Sequence, residues 1–121
     1  MGAGARKRNM VTNYIPDRGD IFWIDFAPTK GHEQSGRRPA IVISRRVYNE
    51  NAKLALACPI TSKSKQHPYE VRLTGTKITG VILSDQIRSV DWEARKAEFA
   101  ESAPSAVVDE IEAKLLTLIQ G

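Results

Sequence analysis

Cysteine is nearly absent: Cys58 is the only one in 121 residues. One cysteine cannot close an intrachain disulfide, and without a partner at metal-binding spacing it makes no zinc motif. Its expected state is that of a small buried apolar residue. Long hydrophobic runs are also lacking, since no apolar stretch exceeds a handful of residues where a membrane-spanning helix needs ~20. No apolar stretch of signal-peptide length follows Arg6, Lys7 and Arg8. Position six is Arg rather than the Ser or Thr of a myristoylation pattern. The expected setting is therefore the cytoplasm, with no membrane partner. Internal repeats and low-complexity tracts are missing as well.

What is there suits one folded domain. A chain of this length hides about two-thirds of its unfolded surface, and 41% of its residues are apolar, which excludes wholesale disorder. The net charge of +4 is unevenly spread. Residues 1–10 carry +3, residues 11–90 carry +5, and residues 91–121 carry −4. Arg37, Arg38, Arg45 and Arg46 form one basic cluster, and Lys63, Lys65 and Arg72 another. Such clusters attract polyanions, phosphate chains above all; the plain alternative is a solvated charged surface.

Alternation and turn residues outline a mainly β protein with some helix. Gly19–Phe26 alternates as a strand, with Phe22, Ile24 and Phe26 on one face and Ile21, Trp23 and Asp25 on the other. Trp23 is expected to pack into the core. Residues 27–38 read as a Gly- and Pro-punctuated loop and 39–44 as a central strand. A short helix or turn is expected over 45–53. Strands follow over 54–61, 69–74 and 81–90, the last bending near Asp85, with a polar Lys-rich loop over 62–68 and a turn over 75–80. Five closely spaced strands argue for an antiparallel, barrel-like sheet. At the end, Val108, Ile111, Leu115 and Leu118 recur at helical spacing, which predicts an amphipathic helix over about 105–119. Ser105 is its expected N-cap, Asp109 and Glu110 lie near its start, and Gly121 sits where a C-terminal cap belongs.

A run of motifs crosses this framework. Gly19-Asp-Ile-Phe-Trp-Ile-Asp-Phe26 is followed by Pro28-Thr-Lys-Gly31, Glu33-Gln34, Gly36 and Arg38-Pro-Ala-Ile-Val-Ile-Ser44. Pro59-Ile-Thr61, Tyr69-Glu-Val71, Gly80-Val81 and Asp85-Gln-Ile-Arg88 then come in order. Over about residues 10–120 this set closely resembles the MazF/PemK toxins, the ribonuclease halves of bacterial toxin–antitoxin pairs. The resemblance implies a compact SH3-like antiparallel barrel of the MazF/CcdB kind with a C-terminal amphipathic helix, acting as a homodimer. It divides the chain into a flexible basic extension over 1–9 and a toxin domain over 10–121. It also implies cleavage of single-stranded RNA at a short motif with no metal or cofactor. The ribose 2′-hydroxyl attacks, leaving a 2′,3′-cyclic phosphate and a 5′-hydroxyl. The likeness of the first block makes an ACA-containing site the expected motif. A cognate MazE-like antitoxin, with an acidic C-terminal segment, is the implied inhibitor.

On that resemblance Arg38, Thr61 and Glu33 are the candidate catalytic residues. A guanidinium gives paired hydrogen bonds to phosphate oxygens and stays charged, which suits stabilisation of the transition state more than proton abstraction. The Thr61 hydroxyl suits positioning, and Glu33, the carboxylate nearest Arg38 in sequence, suits proton acceptance or base reading. Asp25, Lys30, Gln34, Arg37, Ser62, Lys63, Ser64, Gln86 and Arg88 are candidate RNA contacts, because amides, hydroxyls and cations read exposed base edges and hold phosphates. Arg37 stands where family members vary. His32 and His67 also invite a two-histidine acid–base reading, although no spacing brings them together. Two rival functions remain: a barrel-fold toxin that binds a protein such as DNA gyrase, as the related CcdB toxins do, and an RNA-binding domain without turnover.

Overall fold

Alternating apolar residues in β1 (Asp20–Asp25) bury two faces at once, and that sets the layout of the domain. The computed structural model describes residues 14–25 and 36–121. After β1 come β2 (Arg37–Val42), α1 (Arg46–Ala52), β3 (Ala55–Thr61), β4 (Glu70–Leu73) and β5 (Gly80–Leu83). A 3-10 turn (Ser84–Gln86) leads to β6 (Arg88–Val90), β7 (Glu98–Ser102) and α2 (Ser105–Gln120). Among the described residues all strand pairings are antiparallel. The path runs β4-β5-β3-β2-β1-β7, with β6 beside β3. This is the expected mainly antiparallel sheet with a terminal helix, but among the described residues it stays open: β4 and β7 end the path and do not pair.

Opposite sheet faces carry separate cores. Ile21, Ile41, Cys58, Ile60, Val71 and Ile82 pack under Val107, Val108 and Ile111 of α2. Phe22, Ile24, Ala40, Val42, Ala55, Ala57, Val90 and Trp92 form the second core, with Tyr14 and Ile15 against it. Cys58 is fully buried as expected; burial, aided by nearby Asp85, pushes its thiol up to about 12. Trp23 is only half-buried and joins neither core, because it pairs between Pro39 and Glu98 toward the end of β1.

Several boundaries differ from the expectations. Arg37 and Arg38 lie inside β2, not in the preceding loop, because they pair with Asp25 and Ile24. The expected strand over 81–90 breaks into β5 and β6 around the 3-10 turn, where Ser84 is buried and donates its N–H and hydroxyl to the Tyr69 carbonyl. Strand β7 was not expected, since Glu98–Ser102 is mostly exposed. In α2 the N-cap is Pro104 with no side-chain cap, so Ser105 is the first helical residue rather than the cap; the first turn holds no acid. Leu118 lies 42% exposed, beyond the stretch where α2 meets the core. Gly121 does close the helix, its N–H donating to the Thr117 carbonyl at 3.0 Å. No helix among the described residues is long and apolar enough to cross a membrane.

Candidate functional site

A proline shapes the site. The β2–β3 ladder pairs Val42 with Ala57, Ile41 with Cys58 and Ala40 with Pro59, and ends there. Pro39, whose backbone faces β3 as those of Ile41 and Ile43 do, has no N–H with which to extend it, while Pro59 turns its own missing N–H away from β2. Continuing the register two residues past its last pair sets Arg38 level with Thr61. Strand alternation puts both on the face of Ala40 and Pro59. Thus Arg38, which is exposed, and Thr61, which is half-buried, flank the unpaired end of the seam between two central strands.

Thr61 is held from two directions. Its Oγ1 accepts the Lys63 N–H at 3.1 Å. Across β5, Gly80 approaches so closely that an added Cβ would lie 2.4 Å from the Thr61 carbonyl oxygen, and Gly80 takes a φ of +138° that L side chains rarely adopt. With its oxygen accepting from Lys63, the Thr61 hydroxyl has its own proton free to donate outward.

A transverse row crosses the sheet at this level. Thr61 pairs with Val81, and Val81 with Arg72, so the exposed Arg72 stands on the same face two strands away, roughly 10 Å along the hydrogen-bonding direction. Arg88, paired with Ala57, also projects from this face, and Gln86 is exposed in the adjoining turn. Ser62, Lys63 and Ser64 follow Thr61 in an exposed loop. Within it the Ser64 hydroxyl donates to the Glu70 carboxylate at 2.6 Å, and the Lys65 N–H does so at 2.8 Å. These bonds, with the Gln66 and His67 amides adding to them, hold the Glu70 carboxyl below the usual glutamate range. Composition alone gave no sign of Glu70, one acid in a short alternating strand.

Arg37 and Asp25 come together elsewhere. On the opposite side of the ladder from Arg38, the Arg37 guanidinium donates to Asp25 Oδ1 at 3.0 Å, to Glu98 Oε1 at 3.2 Å and to the Trp23 carbonyl at 3.3 Å. The Asp25 backbone is held twice more, its N–H donating to the Arg95 carbonyl and its carbonyl accepting from Arg95 Nη1, both at 2.9 Å. This clamp closes the base of the segment joining β1 to β2. Lys30, His32, Glu33 and Gln34, in that segment, lie outside the described residues. The His67 ring lies beside that of Tyr69, tilted by 48°, with centroids 5.3 Å apart. Among the described residues no group of three or more His, Cys, Asp or Glu side chains is placed to hold a metal ion.

Residues 17–119 match the family described as PemK-like, MazF-like toxin of type II toxin–antitoxin system. Over 110 residues the sequence is 44% identical to the endoribonuclease toxin MazF of Escherichia coli strain K12, covering 91% of this chain and 99% of that protein. The endoribonuclease PemK of Escherichia coli is 32% identical over 108 residues, covering 85% of this chain and 81% of that one. The crystal structure of MazF (Form-I) from Deinococcus radiodurans superposes with a TM-score of 0.80 at 44% identity, over 90% of this chain and 100% of the other. A MazE–MazF crystal structure (Form-III) from the same organism gives 0.81 at 42% identity, over 88% and 98% of the two chains.

Proposed function

The chain belongs to the PemK-like, MazF-like toxin family of type II toxin–antitoxin systems, and from that premise we propose how it acts. It is an endoribonuclease toxin, and its substrate is single-stranded mRNA, cut in the cytoplasm at a short motif. An ACA-containing sequence is the motif to seek first. What supports the site is that Arg38 and Thr61 lie on one face of the sheet, each two residues past the last pair of the β2–β3 seam.

Cleavage joins the ribose 2′-oxygen to phosphorus and breaks the bond from phosphorus to the 5′-oxygen. It needs neither metal nor cofactor, only a proton acceptor, a proton donor and positive charge beside the phosphorane. Arg38 supplies two N–H groups in the plane that phosphate oxygens accept, and it keeps its charge as negative charge builds. Thr61, its oxygen already accepting from Lys63, donates its hydroxyl to a phosphate oxygen and fixes the scissile group against Arg38. Glu33 receives the 2′-hydroxyl proton, a task for which a guanidinium is too weak a base. The products are a 2′,3′-cyclic phosphate and a 5′-hydroxyl, the leaving 5′-oxygen taking its proton from water.

Lys63, Arg72 and Arg88 hold flanking phosphates, while Ser62, Gln86, Lys30 and Gln34 recognise the bases; the Ser64 hydroxyl is taken up by Glu70 and Gln66 instead. The Arg37–Asp25 pair frames the entry to the segment carrying Glu33. The working form is a homodimer, inhibited by a cognate MazE-like antitoxin whose acidic segment covers the same cationic surface.

Replacing Arg38 with Ala and following single-turnover cleavage of a mixed-sequence RNA tests this assignment. A loss of about 10²-fold or more is expected, the scale of removing one transition-state hydrogen-bond donor, with circular dichroism unchanged. Wild-type cleavage by that variant would remove Arg38 from the site.

A further inference from the structure

We propose that Glu70 is a positioning residue for RNA cleavage, holding the Thr61–Lys63 turn in its working shape through Ser64 and Lys65. The proposal rests on the endoribonuclease reading above. The loop between β3 and β4 folds around this one carboxylate. Glu70 Oε1 accepts the Ser64 hydroxyl at 2.6 Å and Oε2 accepts the Lys65 N–H at 2.8 Å. The Ser64 oxygen in turn accepts the Gln66 N–H at 3.1 Å, and Gln66 turns the chain back with a φ of +55°. Directly before this frame, the Lys63 N–H orients the Thr61 hydroxyl. Only the Lys63–Ser64 peptide therefore separates the amide that directs the Thr61 hydroxyl from the frame that Glu70 organises.

The carboxylate itself is well anchored. Glu70 pairs with Leu83 in β5, and its N–H donates to the His67 carbonyl at 3.1 Å. Lys114 of α2 donates to the Pro68 carbonyl at 2.8 Å, tying the outer leg of the loop to the helix. A group held on rigid elements can transmit its geometry to a neighbouring reactive side chain. The chemistry also requires the ionised form. Two acceptor oxygens meet two donors here, whereas a glutamine amide would present one oxygen and one NH2, and its NH2 would face a donor.

The test compares wild type, Glu70→Gln, Ser64→Ala and the double variant on a short RNA containing a mapped cleavage site, with thermal melts beside the kinetics. For each single variant kcat is expected to fall roughly tenfold or more, the scale of a slightly misplaced group, with KM and the melting temperature close to wild type. The double variant loses no more than the weaker single one, because both act through one linkage. Ser64→Ala carries the test alone if Glu70→Gln melts early. Wild-type kcat in Glu70→Gln or Ser64→Ala, additive losses, or a rise confined to KM would overturn the proposal. A wild-type protein that cuts no RNA would instead overturn the endoribonuclease reading.

Discussion

Gly80 faces the backbone of Thr61 so closely that a Cβ there would sit 2.4 Å from the Thr61 carbonyl oxygen. The contact lies between β5 and the last residue of β3, so it fixes where the Thr61 side chain leaves the sheet. Gly80→Ala adds the clash to the strain of a positive φ, and a cost of about 2 kcal/mol or more is expected. Thermal denaturation should show a fall of several degrees, with cleavage impaired even below the transition. An unchanged melting temperature and rate would mean that β5 can move away without disturbing Thr61.

The Thr61 hydroxyl, not its shape, is the group in use. Thr61→Val keeps the β-branched form that suits the end of a strand and removes the donor. Turnover should drop by roughly 10-fold to 10²-fold while the fold persists, and Thr61→Ser should restore much of it. Equal activity in the valine and serine variants would reduce Thr61 to a packing residue.

Arg72 contributes charge to the surface beside Thr61 without a role in bond breaking. Arg72→Ala should weaken binding of RNAs of different sequence to a similar degree. The slope of log K against log salt should fall in magnitude by about 0.7, the value for one phosphate contact on a single strand. Titrations at several salt concentrations measure this directly; an unchanged slope would place the RNA path away from β4.

Acid stability depends on a second carboxylate held by amides. Glu101 accepts the Ile78 N–H at 2.8 Å and the Lys77 N–H at 3.0 Å, which hold its carboxyl below the ordinary value of 4.5. A depressed folded-state value means that its stabilisation is present above about pH 4.5 and is lost as pH falls through the lower, folded-state value. Asp20 acts in the opposite sense, since burial raises its carboxyl and therefore favours the folded form as the medium turns acidic. Melting curves from pH 7 to pH 3 should show Glu101→Gln less stable than wild type at neutral pH, with the difference closing on acidification. A gap that stays constant would assign its cause to something other than ionisation.

Much of this architecture was legible in the residues. Alternation placed β1 and both its faces, and helical spacing placed α2 with Val108 and Ile111 inward. Arg38 and Thr61 were legible as candidates through resemblance, but nothing local showed that they share one level of the sheet. That depends on a register set by contacts between distant strands. Arg37 and Arg38 read as loop because a proline follows them and proline usually bounds a strand, yet cross-strand pairing with Asp25 and Ile24 draws both into β2. Strand β7 was hidden because Glu98–Ser102 buries little and takes its place from pairing with β1. Glu70 was hidden for a related reason, since its partners come from a loop whose fold the carboxylate itself directs.

The central claim is tested most directly by digesting a long, mixed-sequence RNA with the folded, antitoxin-free protein in excess EDTA and mapping every new 5′ end. Discrete cuts at one short motif are expected, with 5′-hydroxyl ends that a kinase labels without prior phosphatase treatment and cyclic phosphates on the partner fragments. Intact RNA under those conditions, or 5′-phosphate ends, would contradict the account.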